Sequence, residues 1–238
     1  HDLCRRQRQM CIRDSPLISA FIITLIPKAQ EQLIKRFALV SSLITFVLSA
    51  VLLFQFDFSS ADKLQLGNKI SWIKSINANY EIGIDGISLP LLVLSTFITV
   101  LAIIYSIEHL PEPKSPKGFL ALILVLETGM NGTFVALDLI LFFVFFEIVL
   151  LPMYFMIGIW GDKTVRTVSG FKNQIETRLY ASIKFFVFTL FGSAFMLLGF
   201  LGLYYRGNKT FSIPELIELG TSGAFTGTFA TLVFAVLF

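Results

Sequence analysis

The chain has 238 residues, of which 55% are hydrophobic and 15% charged, with a mean hydropathy of +0.78. So few polar side chains cannot clothe a water-soluble globule, and the apolar residues come in long blocks without a 3.6-residue stripe, so lipid must cover most of the helices. A formal charge of only +3, with the basic residues scattered between the blocks, excludes a nucleic-acid-binding surface.

The opening segment, HDLCRRQRQMCIRDS, resembles nothing else in the chain and holds both cysteines, Cys4 and Cys11. Arg5 to Ser15 reads as the in-frame translation of a sequencing adapter, so residues 1–15 are expected to be disordered and foreign to the fold; a basic tail or targeting peptide is the alternative. Removing them leaves no cysteine, which excludes thiolate metal sites and disulfides. Residues 16–238 then form one transmembrane domain.

A helix needs about 20 mostly apolar residues to cross the hydrocarbon. Pro16 to Ile26 is apolar but short, as if its start were missing. Leu33 to Phe54 spans, and after a polar stretch from Gln55 to Glu81, Ile87 to Ile107 spans again. Phe119 to Leu137 carries Glu127, Thr128 and Asn131. Asp138 to Trp160 is apolar apart from its end and Glu147, and Leu179 to Tyr205 carries Lys184. Thr226 to Phe238 begins a further span and stops in mid-helix. The expectation is an all-α polytopic transmembrane bundle of about six helices plus the start of a seventh.

Basic residues set the orientation, because cytoplasmic loops carry the excess. One side holds Lys28, Lys35, Arg36, Lys114, Lys117, Lys163, Arg166, Lys172 and Arg178; the other holds Lys63, Lys69, Lys74, Arg206 and Lys209. The richer side is read as the inside, so Gln55 to Ile84 and the loop around Pro214 face outward. PELIEL at 214–219 has proline at a first-turn position and apolar residues at 216, 217 and 219, which predicts a short amphipathic helix at the outer interface.

Glu147 carries the first clue to chemistry. It stands in FFVFFEIVLLPMYF with phenylalanines on one side, aliphatic residues on the other and no polar neighbour on its own helix. A charged carboxylate at the bilayer centre costs a few kcal/mol on insertion scales, so such residues face a bundle interior and usually serve transport. Pro152, five positions on, removes a backbone donor and frees the carbonyl of Ile148, which only water or a side chain can satisfy in lipid. A hydrated weak spot beside a buried acid suits proton transfer. The structural alternative is a packing kink beside an acid that merely bonds a neighbouring helix.

By helical rise Lys184 lies about 9 Å and Glu147 about 20 Å from the inner face, an offset of roughly 11 Å. That is too far for a salt bridge, so Lys184 is either an inner relay group joined through water or a lysine that snorkels to the interface. Glu127 is a second acid within the bilayer. Asp138 and Asp85 read as helix caps and His109 as an interfacial residue. No dinucleotide fingerprint, P-loop or haem-type histidine pair occurs, so any redox cofactor is expected on another subunit.

The stretches GIDGISLPLLVLSTFITVL, LVLETGMNGTFVALDLILFFVFFEIVLLPMYFMIGIWG, RLYASIKFFVFTLFGSAFMLLGFLGLYY and FSIPELI resemble the family of antiporter-like subunit M of NADH:quinone oxidoreductase, called chain 4 in mitochondria. The resemblance runs from about Leu33 to the end. It implies the first part of an inverted-repeat antiporter-like fold, with Glu147 as the buried proton-carrying glutamate, Lys184 as a lysine on the next helix, and the glutamate's partner lysine beyond Phe238. It also implies partnership with other membrane subunits, lipid and protons. NADH, FMN, iron-sulfur clusters and quinone would lie on those partners, and the location would be the cell inner membrane or a thylakoid-type membrane. Sodium/proton antiporter subunits and membrane-bound hydrogenases share the pattern and are the alternative. An assembly scaffold that uses polar residues as interhelical glue is the third reading.

Overall fold

In the computed structural model, residues 2–58, 64–111, 113, 115–166, 175–225 and 227–237 are described. Lys63, Lys114 and Lys172 lie outside the described residues, as do the side chains of Cys4 and Cys11. The elements are α1 (Asp2–Leu25), α2 (Glu31–Gln55), β1 (Gln65–Ile73), β2 (Ala78–Ile84), α3 (Ser88–Glu108), α4 (Pro116–Val135), α5 (Leu139–Trp160), β3 (Val165–Arg166), β4 (Ile175–Glu176), α6 (Thr177–Arg206), α7 (Ile213–Thr221) and α8 (Thr228–Leu237).

Among the described residues five helices, α2 to α6, are long and apolar enough to cross a membrane, and α1 adds a shorter apolar stretch from Asp14 to Leu25. The chain is a polytopic helical membrane protein. The short helix expected near Pro214 is α7, whose Pro214 sits in the first turn.

Helix α1 extends back through residues 2–15, because once its apolar part packs, each further residue adds one hydrogen bond at little cost, and Leu, Arg, Gln and Met are good helix formers. Ile12 is buried against Leu52 and Phe56, and Ser15 hydrogen-bonds Thr45 at 3.2 Å. The polar stretch after α2 holds an antiparallel hairpin of β1 and β2, with Lys69 opposite Glu81 and Ile70 opposite Tyr80. Its turn closes on Asn77, whose φ of 52° is a left-handed conformation that asparagine tolerates.

The hairpin lies across one end of the bundle. Leu137, between α4 and α5, donates its N–H to the carbonyl of Glu81 at 2.8 Å and accepts one from Ile213 at 2.8 Å. A strand-like linker is thus held between β2 and the entry to α7. At the opposite end β3 and β4 form a two-residue ladder between α5 and α6.

Two apolar clusters stand at the ends of the α1–α4 bundle. Phe56, Ile82, Ile84, Leu89, Leu92 and Val135 belong to the one beneath the hairpin, and Ile23, Ile34, Ala38, Ile103, Leu120 and Leu124 to the one at the far end. Between them the helices are joined by hydroxyls: Ser41 donates to Ser19 at 2.6 Å, and Ser49 and Thr96 lie 2.8 Å apart. Small residues and interhelical hydrogen bonds replace the hydrophobic effect, which cannot drive association among lipid tails.

Candidate functional site

The helix that carries Glu147 starts at a well-made cap. Asp138 is fully buried and accepts the N–H of Ile140 at 2.9 Å and of Leu141 at 3.3 Å on one oxygen, and that of Asn79 at 2.9 Å on the other. Burial pushes its carboxyl above the usual aspartate range, against those N–H groups and Lys69, which pull the other way. Asp85 also accepts from the N–H groups of Ile87 and Ser88 just before α3. His109 stacks on Tyr105 with ring centroids 4.7 Å apart at the end of α3.

Helix α5 packs closely on α4. A methyl group built on Gly129 would stand 2.7 Å from Val149, and one on Gly132 would enter the Phe145 ring, so both glycines are required for the approach. That register puts Glu147 level with Met130 and Asn131, and Glu127 about 5 Å further along the axis. Glu147 is half-buried, and its Oε1 is enclosed without a hydrogen-bond partner. Pro152, inside the same helix, is buried.

Helix α6 lies antiparallel to α5, with Gly158 beside Ser182 and the rings of Tyr154 and Phe186 5.2 Å apart. This register sets Glu147 level with Ser193, and Lys184 about 14 Å away along the axis. The separation expected from the sequence was somewhat shorter. Lys184 is exposed on the surface of the bundle and its Nζ stands 5.6 Å over the Tyr180 ring, so the structure does not bring it to Glu147. Among the described residues no ion pair reaches Glu147.

Ser193 was not singled out from the sequence. It is buried, its hydroxyl donates to the carbonyl of Leu190 at 3.0 Å, and it lines a cleft of ≈ 560 Å³ with Phe146, Phe188, Thr189, Gly192 and Met196. The Gly192-Ser193-Ala194 run, small residues inside an otherwise bulky helix, was the available signal.

Glu127 is fully buried on the face of α4 turned to α3, with neither carboxyl oxygen hydrogen-bonded. Asn131, one turn on and also fully buried, accepts from the Ser95 hydroxyl at 3.4 Å, while its Nδ2 has no partner. The site therefore contains two acids on neighbouring helices at similar depth, Glu127 enclosed on the side of α3 and Glu147 half-buried beside the α6 cleft.

Residues 15–133 match the family model described as NADH-ubiquinone oxidoreductase chain 4, amino terminus, and residues 136–238 match that described as NADH:quinone oxidoreductase/Mrp antiporter, TM. The chain belongs to the NADH-ubiquinone oxidoreductase chain 4 family. NADH-ubiquinone oxidoreductase chain 4 of Mycosarcoma maydis is 39% identical over 208 residues, which are 86% of this chain and 40% of that one. F(420)H(2) dehydrogenase subunit M of Methanosarcina mazei is 36% identical over 207 residues, 85% of this chain and 38% of that one. The chain thus spans about two fifths of the length of these relatives. Its fold is that of a chain in respiratory complex I from Thermus thermophilus with bound NADH, with a TM-score of 0.73 and 22% identity over 96% of this chain and 42% of that chain.

Proposed function

We propose that the chain is the amino-terminal part of a proton-translocating membrane subunit of an NADH (or ferredoxin):quinone oxidoreductase, in which electron transfer on partner subunits drives protons across the bilayer. The observation that carries this reading is Glu147: a half-buried carboxyl in mid-helix, with one oxygen enclosed and unpartnered, on a helix that proline locally frees from its hydrogen-bond ladder. Such a group is costly in lipid and is retained where a pathway needs it. Glu147 holds the proton, Lys184 serves as a relay towards the inner face through water, and Glu127 connects the acid to the neighbouring helices. The redox cofactors and the quinone belong to partner subunits, and the complex sits in the cell inner membrane or a thylakoid-type membrane.

The support is family membership together with relatives whose names are those of oxidoreductase chains. A sodium/proton antiporter subunit without redox partners is the second reading, favoured by the Mrp antiporter named in the description of the second family model. The deciding experiment replaces Glu147 by Gln in the full-length protein within its complex, reconstituted in vesicles. Donor-driven acidification is expected to disappear, and acidification at the wild-type yield removes the assignment. Cation-driven proton exchange without any electron donor would select the antiporter reading.

A further inference from the structure

Between the two apolar clusters of the α1–α4 bundle lies a polar layer of which the proposed proton path uses only Glu127. Ser49 of α2 and Thr96 of α3 share a hydrogen bond, Ser95 of α3 reaches Asn131 of α4, and Glu127 stands one turn from Asn131. Ser49, Thr96, Glu127 and Asn131 are all 0% exposed. Two carboxyl oxygens of Glu127 and the amide nitrogen of Asn131 lack any partner, yet no hydrogen bond joins the two side chains. They are complementary, donor and acceptor, on the same helix face.

Among the described residues no side chain of the layer bonds them. The hydroxyls of Ser49 and Thr96 are engaged with backbone carbonyls and with each other, and the buried members of the apolar clusters above and below have hydrocarbon side chains. Of the described charged side chains on elements packed against α4, Lys35 and Lys117 are bonded to the carbonyls of Ile107 and Ile26 at the far end, where Glu31, Arg36 and Glu108 also lie. Glu81 is outside the bundle on β2, Glu147 faces from α5, and Asp14 of α1 is half-buried. A group that must be satisfied in lipid and has no protein partner is met by water, which needs two to four polar partners to stay.

We propose that this layer is an occluded, hydrated proton-storage site, in which water bridges the Glu127 carboxyl to the Asn131 amide, with Ser95 holding the amide in place. A proton delivered through that water forms an O–H bond on a Glu127 oxygen and leaves by the same route, so carboxylate and carboxylic acid interconvert with no other reactant. The apolar clusters seal both ends, which keeps the proton from leaking until a helix shifts. The storage role rests on the proton-translocating reading above.

The test is infrared difference spectroscopy during turnover of the full-length protein in its membrane complex, in H2O and in D2O. A carboxylic C=O band is expected to vanish in Glu127→Gln, and to shift both in Asn131→Leu and in the milder Ser95→Ala. In D2O the band is expected to shift as the water exchanges. Where Asn131→Leu fails to assemble, as judged by native gel, Ser95→Ala carries the test. A band that survives Glu127→Gln, or that neither Asn131→Leu nor Ser95→Ala moves, overturns the proposal. Persistent pumping in Glu147→Gln with the Glu127 band intact would instead strike the wider functional reading.

Discussion

Asp138 accepts the N–H of Asn79 at 2.9 Å and, on its other oxygen, the N–H groups that open α5. One buried carboxylate therefore ties the extramembrane hairpin to the helix that bears Glu147. Asp138→Ala removes the cap and the tie together and is expected to cost about 1–3 kcal/mol, the range for a lost helix cap and unmet N–H groups. A lower Tm of the purified protein in detergent checks it. The pH dependence has a definite sign: because burial holds this carboxyl above its ordinary value, its share of stability is complete below the ordinary aspartate pKa and is lost as pH rises through the raised one. Asp138→Asn keeps an acceptor for the α5 cap and should flatten that part of the curve of Tm against pH.

Lys69 of β1 lies 2.7 Å from Glu215 of α7 and 3.4 Å from Glu81 of β2, clamping the short helix to the hairpin. The Glu215 hydrogen bond, followed by the pull of both acids, raises the lysine despite its partial burial, and the same bond lowers Glu215. The clamp is thus complete between the two ordinary values, weakening as pH falls through the lowered glutamate value and as it rises through the raised lysine value. Both side chains are well exposed, so the pair contributes about 0–1 kcal/mol. Lys69→Met should leave Tm nearly unchanged but speed amide exchange in α7, an effect that high salt reproduces in the wild type.

Gly132 faces the ring of Phe145 with no room for a methyl group. Gly132→Ala must push α5 away from α4, which overpacking of this kind makes about 1–3 kcal/mol less favourable. Gly192 of α6 has nothing within 4 Å of the same built methyl position, so Gly192→Ala is the matched control and should leave thermal stability unchanged.

Pro152→Ala restores the backbone donor to the Ile148 carbonyl and closes the locally hydrated turn next to Glu147. A more stable α5 but severalfold slower proton translocation is expected, measured as proton yield per electron in vesicles. Unchanged yield would reduce Pro152 to a packing kink.

The membrane spans, Glu147 and the α7 helix were legible in the chain because each is a property of consecutive residues: a span is a hydropathy average over one segment, and an isolated acid among phenylalanines needs no neighbour to be seen. The hairpin was less so, since the alternation of Ile70, Trp72, Tyr80, Ile82 and Ile84 was masked by the charged and amide residues between them. Lateral arrangement was the tertiary structure's to decide. Helices greasy on all sides carry no periodic mark of which face meets which neighbour, so rotation and register come from close fits such as Gly132 against Phe145. Those fits set Lys184 apart from Glu147 and gathered Ser49, Ser95, Thr96, Glu127 and Asn131, distant in sequence and individually unremarked save for Glu127 and Asn131, into one enclosed layer.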